Sequence, residues 1–247
     1  MHRKAKEYVL KLLSHLGIVV TKCPPSLGRV PASILRLTFD HALCQLIVTS
    51  NHKISFVQVG AFDGVSGDPI HRFVKKGLLS GCLIEPQLDA FSQLESNYSG
   101  IPSVILKRAA ISSTDGTAEL FRVRPGTKGP PWLFQLASFR REVLLKHAPY
   151  IEGLENAIIT ESVPTITFDT LFKDQPVYPD VLIIDTEGFD FEIIKLYNIQ
   201  KRKPKLILYE HKHLSSDDQE ACITLLLESG YKIACLAEET VASRLDE

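Results

Sequence analysis

Six short, almost uninterrupted apolar runs, at residues 54–59, 82–85, 104–106, 181–185, 206–210 and 231–236, alternate with stretches of helical character. A strand that is apolar on both faces cannot leave either face in water. Helices must cover both sides of the sheet, and segments that alternate β, α, β, α supply them in the order needed. The expected architecture is therefore α/β, a doubly wound and mostly parallel sheet.

The punctuation between the runs agrees. Asp68-Pro69 opens a helix, since Asp is a good N-cap and Pro suits the first turn. That helix runs to about Lys76, where Lys75 and Lys76 suit the negative end and Gly77 the C-cap. Further helices are expected over 87–98, after Gly188, and from the capping box Ser216-Asp217-Asp218-Gln219 to about Gly230. Two helical stretches, 8–16 and 34–48, precede the first strand and flank Cys23-Pro24-Pro25 and Pro31. Residues 117–172 break the rhythm, with β-like pieces near 118–123 and 162–167 separated by a loop holding Pro130-Pro131-Trp132. The expected organisation is an N-terminal helical extension over 1–52 and one α/β domain over 53–247, with a hairpin-and-loop insertion at about 117–172.

Charge narrows the function classes. Twenty-eight Lys and Arg against 29 Asp and Glu give a net charge of −1, so no global basic field suggests a grip on nucleic acid. No apolar run is long enough for a membrane span. The basic start Met1-His2-Arg3-Lys4 is followed by Glu7, Lys11, Ser14 and His15, which interrupt any signal-peptide core. Five cysteines without a CxxC pair fit reduced thiols, and a cytoplasmic location is the expectation.

In such sheets ligands bind beyond the carboxyl ends of the strands, where the strand order reverses. Those ends carry Gly60-Ala61-Phe62-Asp63-Gly64, Glu85-Pro86, Ala109-Ala110, Asp185-Thr186-Glu187-Gly188 and Glu210-His211. A glycine turn admits a ligand close to the backbone, and an acid ending the second strand accepts hydrogen bonds from ribose hydroxyls. Gly60-x-x-x-Gly64 lacks the middle glycine of a dinucleotide fingerprint, and Asp63 would repel a pyrophosphate. A nucleoside with a positive attachment suits the turn better, and S-adenosylmethionine is one. Each feature taken alone also reads as a tight turn or a solvated strand end.

Residues 56–64 with Asp68-Pro69, Leu83-Ile84-Glu85-Pro86 with Asn97, Ile183-Ile184-Asp185-Thr186-Glu187-Gly188-Phe189-Asp190, and Leu206-Ile207-Leu208-Tyr209-Glu210-His211 together resemble FkbM-type S-adenosylmethionine-dependent methyltransferases. The resemblance implies a class I methyltransferase fold with a seven-stranded sheet, and an oxygen acceptor on a small molecule or saccharide. It also implies that Gly60, Ala61, Phe62, Asp63 and Gly64 line the donor's methionine and ribose side. Glu85 would hold the ribose, Pro86 and Ala110 would flank the adenine, and Asp185 would sit near the donor's amino group. Two departures stand out: Phe62 replaces the small or amide residue usual in the turn, and Gln58 stands where many such enzymes have an acid.

Methyl transfer to oxygen needs alignment of acceptor, methyl and sulfur, and removal of a hydroxyl proton. Glu187, Asp190, Glu210 and His211 lie at the donor-facing edge, with His211 suited to take a proton at neutral pH and Glu210 to orient it. His213 reads as a strand-end residue. Asp185, Glu187 and Glu210 form an alternative carboxylate site for Mg²⁺, although no metal is the expectation. Trp132 is either a lid residue or a plug of the insertion, and Lys128, Arg140 and Arg141 either favour an anionic acceptor or form a solvated face. The competing functions are an NAD-dependent oxidoreductase and an idle methyltransferase fold used for binding.

Overall fold

The computed structural model describes residues 32–173, 178–236 and 238–245. The helix expected over 8–16 and Cys23 lie outside them. The strands in chain order are β1 (Ile54–Val59), β2 (Leu79–Ile84), β3 (Val104–Lys107), β4 (Ala110–Ile111), β5 (Gly116–Val123), β6 (Ala137–Ser138), β7 (Ile158–Ile166), β8 (Val181–Ile184), β9 (Leu206–Glu210), β10 (Lys232–Leu236) and β11 (Glu239–Ser243).

Seven of them form the main sheet in the order β10-β11-β9-β8-β1-β2-β3. Every pair from β3 to β9 is parallel, and β11 runs antiparallel to both β9 and β10. The mostly parallel α/β architecture is thus as the apolar runs require. Alternate residues of each strand enter two cores. Ile54, Phe56, Ile183 and Leu208 pack on one face with Phe39, Leu43 and Leu94 from the helices Ala32–Thr49 and Leu88–Tyr98. Val59, Ile184, Ile207 and Tyr209 pack on the other with Ile194, Tyr197 and Leu226 from Asp190–Tyr197 and Ser216–Glu228. Each large aliphatic side chain so buried contributes about 1.5–3 kcal/mol, which is why neither face stays bare.

Several local expectations shift. The segment after residue 236 is not a tail: β11 slots between β9 and β10, burying Thr240, Val241 and Ala242. Its polar sequence hid it, because a short central strand can be mixed in composition when both edges are hydrogen-bonded. The helix Ser216–Glu228 is capped one residue earlier than expected, by Ser215 Oγ accepting the Asp218 N–H. Asp68 does serve the next helix, its Oδ1 accepting the N–H groups of Ile70 and His71, although the helix itself spans only His71–Lys75.

The insertion is larger than a hairpin. It begins at Ala110 and forms its own four-stranded sheet, β4-β7-β5-β6, around the small core of Val123, Leu133, Leu136, Val143 and Leu144. Arg122 fastens it to the main domain: buried in β5, it donates to Glu161 of β7 (2.7 Å) and to Asp89 of the helix Leu88–Tyr98 (2.5 Å). Among the described residues no helix is long and apolar enough to cross a membrane.

Candidate active site

The carboxyl ends of β1, β2 and β8 open into a cleft with about 1150 Å³ of empty space, the solvent at its mouth included. This is where the strand order reverses, since β1 has β2 on one side and β8 on the other. Gly60, Ala61 and Phe62 line it after β1, Glu85 and Pro86 after β2, Ala110 at the start of β4, and Asp185 and Glu187 after β8. The insertion closes one wall with Leu120, Ala137 and Phe139.

Gly60 (φ +82°) and Phe62 (φ +48°) are both left-handed, so the chain leaves β1 in a sharp loop. A Cβ on Gly60 would overlap the carbonyl of Asp185, which requires glycine there. Phe62 is held by its own N–H, which donates to Glu85 Oε2 (2.9 Å), while Glu85 Oε1 accepts the Gln87 N–H (2.9 Å). The Gln87 side chain also interacts with this carboxyl. Burial pushes the Glu85 carboxyl up to about 7, its two backbone hydrogen bonds opposing the rise.

Asp63 and Gly64 are outside the cleft's lining. Asp63 accepts from Val65 N–H (2.8 Å), Ser66 N–H (2.7 Å) and Ser66 Oγ (2.6 Å), bracing the loop from within. Burial raises its pKa, but these hydrogen bonds outweigh it and the net shift is downward. A Cβ on Gly64 would meet Leu94 and Tyr98 at 2.5 Å, so this glycine lets the loop close on its helix. Gln58 donates to Asp68 Oδ2 (2.9 Å), and its buried Oε1 has no hydrogen-bond partner.

Five carboxylates line the cleft, Asp68, Glu85, Asp185, Glu187 and Glu239, and among the described residues no Lys or Arg does. Asp185 reaches into the cleft from its floor; burial first, then the neighbouring Glu187 and Asp190, drive its pKa well upward. Asp190 is fully buried behind it, accepts from Thr186 Oγ1 and Gly188 N–H, and is raised by burial to about 6. Lys128, Arg140, Arg141 and Trp132 are not in the lining; Trp132 is 42% exposed and its ring stands 5.3 Å from that of His147.

After β8, Glu187 (φ +50°) and Gly188 (φ +91°) form a left-handed turn, with Ser138 Oγ of β6 donating to the Glu187 carbonyl (2.7 Å). The turn carries Glu187 to His213 rather than His211. His213 Nε2 is 3.0 Å from Glu187 Oε2 and 3.9 Å from Glu210 Oε2. Neither approach has hydrogen-bond alignment, and both carboxylate oxygens are buried without a donor. Burial and the neighbouring Asp185 and Glu187 raise the Glu210 pKa strongly. His211 points elsewhere, its Nδ1 lying 2.9 Å from Thr240 Oγ1. His213 was legible in principle, because it follows Glu210 by three residues and the chain turns between them through Leu214 N–H to His211 O.

The family model for the methyltransferase FkbM domain matches residues 58–233, which hold this whole set of strand ends. The chain belongs to the FkbM methyltransferase family. No curated protein matches this FkbM-family chain in sequence. Among solved structures, methyltransferase FkbM from Methylobacillus flagellatus KT is 14% identical over 79% of this chain with a TM-score of 0.49, and the chain spans 46% of that one. The N-terminal domain of human METTL16 in complex with SAH is 12% identical, with a TM-score of 0.46, 98% of this chain covered and 84% of that one. Precorrin-6y C5,15-methyltransferase from Geobacter metallireducens GS-15 is 13% identical, with a TM-score of 0.41 and coverages of 90% and 93%.

Proposed function

We propose that this FkbM-family protein moves a methyl group from S-adenosylmethionine to a hydroxyl oxygen of a small molecule or saccharide. The observation that carries the reading is the chemistry of the cleft: five carboxylates and, among the described residues, no basic side chain. A pyrophosphate would meet acids and no cationic side chain there, which disfavours a dinucleotide, whereas a cationic nucleoside is attracted.

Bound in this cleft, the donor supplies an electrophilic methyl carbon on a sulfonium. Glu85, at the end of β2 and in the lining of the cleft, takes the ribose hydroxyls. Pro86 and Ala110 offer apolar surface to the adenine, and Gly60 and Ala61 let the backbone lie against the ligand. Asp185 and the unpartnered Gln58 Oε1 are the acceptors for the amino group. Asp63 and Gly64 act through the loop they hold. Glu187, which lines the cleft beside the insertion wall, hydrogen-bonds the acceptor hydroxyl and takes its proton, with Glu210 and His213 behind it. His211 has no part in this arrangement.

Calorimetric titration with S-adenosylhomocysteine and with NAD tests the donor, and isotopic methyl incorporation across a panel of hydroxylated acceptors tests the reaction. S-adenosylhomocysteine binding together with label on oxygen is expected. Binding of NAD without S-adenosylhomocysteine overturns the reading, and so does label found only on nitrogen or carbon.

A further inference from the structure

We propose that Glu187, Glu210 and His213 form a binding site for one divalent first-row transition-metal ion of the Mn²⁺ or Zn²⁺ class. One ligand atom from each of the three, two carboxylate oxygens and an imidazole nitrogen, lies within 4.8 Å of the others. An imidazole nitrogen and two carboxylate oxygens converge here with no aligned hydrogen bond between them. His213 Nε2 is 3.0 Å from Glu187 Oε2 yet makes no aligned hydrogen bond, and the Glu187 and Glu210 oxygens are buried without any donor.

The second observation is His213 itself. Its side chain is 5% exposed, and its Nε2 faces both carboxylates, 3.0 Å from Glu187 Oε2 and 3.9 Å from Glu210 Oε2.

The scaffold is stiff. Glu187 sits on a left-handed turn held by Ser138, Glu210 ends a central strand, and the turn before His213 is fixed by the N–H groups of His211 and Lys212 donating to the Glu238 carbonyl (2.9 and 3.2 Å). A set of two oxygens and one nitrogen is softer than the all-oxygen shells of Mg²⁺ and Ca²⁺. Three protein ligands also leave a position open. Glu187 borders the cleft, while Glu210 and His213 stand behind it, outside the lining. Ion binding stands on this geometry; its use in polarising an acceptor hydroxyl rests on the methyl-transfer reading.

The test takes the full chain without a histidine tag, strips it with EDTA, and titrates it separately with ZnCl₂, MnCl₂ and MgCl₂. One ion per chain is expected for Zn²⁺ or Mn²⁺, bound more tightly than Mg²⁺. Glu210→Gln and His213→Gln are each expected to weaken binding by about 10–100-fold or more. Circular dichroism checks that they fold. X-ray absorption on the Zn²⁺-loaded natural sequence needs no variant, and should show one imidazole with oxygen ligands. No stoichiometric binding, tighter binding of Mg²⁺, unchanged affinity in both folded variants, or a shell without imidazole would each overturn the site. Titration of the metal-free protein with S-adenosylhomocysteine separates the two ideas: donor binding without ion binding removes the metal alone, and ion binding without donor binding removes the methyl-transfer reading.

Discussion

Gly60 and Asp185 lie in touch across the top of the sheet, with the Gly60 α-carbon packed on the Asp185 carbonyl so closely that a methyl group there would overlap it. The loop after β1 and the loop after β8 are thereby held at a fixed separation, and the cleft floor is the surface between them. Gly60→Ala should cost roughly 1–2 kcal/mol for the left-handed backbone and about 1–3 kcal/mol more for the overlap. Urea denaturation reads the stability, and titration with S-adenosylhomocysteine should show the donor site lost even where the fold survives.

Stability should fall as pH rises through the range set by Glu85. Below pH 4.5 the carboxyl is protonated whether the chain is folded or not. Between 4.5 and about 7 the unfolded chain releases the proton while the folded chain keeps it, so the unfolded state gains. The full difference corresponds to about 3 kcal/mol. Asp190, raised to about 6, acts in the same direction. Glu85→Gln should flatten the decline in a series of denaturation curves between pH 4.5 and 7.5; an unchanged slope would show that Glu85 ionises freely.

Donor affinity should run the opposite way. A carboxylate that accepts two ribose hydroxyls must be ionised, so S-adenosylhomocysteine should bind more tightly as pH passes from 6 to 8, by no more than about tenfold per pH unit. Glu85→Ala should lose about 1–3 kcal/mol of binding at pH 8. Equal affinity in the variant would remove Glu85 from the ribose role.

Arg122→Met should loosen the insertion. Both partners of Arg122 retain access to water, Asp89 at 48% and Glu161 at 23% side-chain exposure, so their charges rehydrate when the guanidinium is gone. The loss should be about 1–3 kcal/mol rather than the larger cost of stranding a buried ion. A lowered melting temperature, with faster proteolysis between residues 116 and 166, would report it.

Ser215→Ala should cost about 0.5–2 kcal/mol by removing the cap of the helix Ser216–Glu228. Ser216→Ala, at the position the sequence pattern favours, should cost less. Chemical denaturation of the pair decides which serine is the cap.

The sheet was legible because its strands are buried on both faces and announce themselves as apolar runs. Gly60, Glu85 and Asp185 were legible because strand ends place them. What composition could not disclose depends on contacts distant in sequence. β11 is a mixed Glu-Thr-Val-Ala-Ser stretch whose burial comes from its two neighbours. The pairing of β5 with β7 joins segments separated by a long excursion. Asp63 and Gly64 look like ligand contacts in a one-dimensional motif, yet the loop folds back on Leu94 and Tyr98. His211 and His213 were ranked by strand alternation, but the strand has ended by Glu210, and the following turn reverses their order of approach to the acids.

The hydrogen bond from Ser138 to the Glu187 carbonyl ties the insertion's wall of the cleft to the acid turn. Remodelling residues 137–139 to admit a bulkier substrate would also retune the tilt of Glu187. Broadening the substrate range by altering this wall alone should therefore cost turnover, and compensating changes belong at the turn itself.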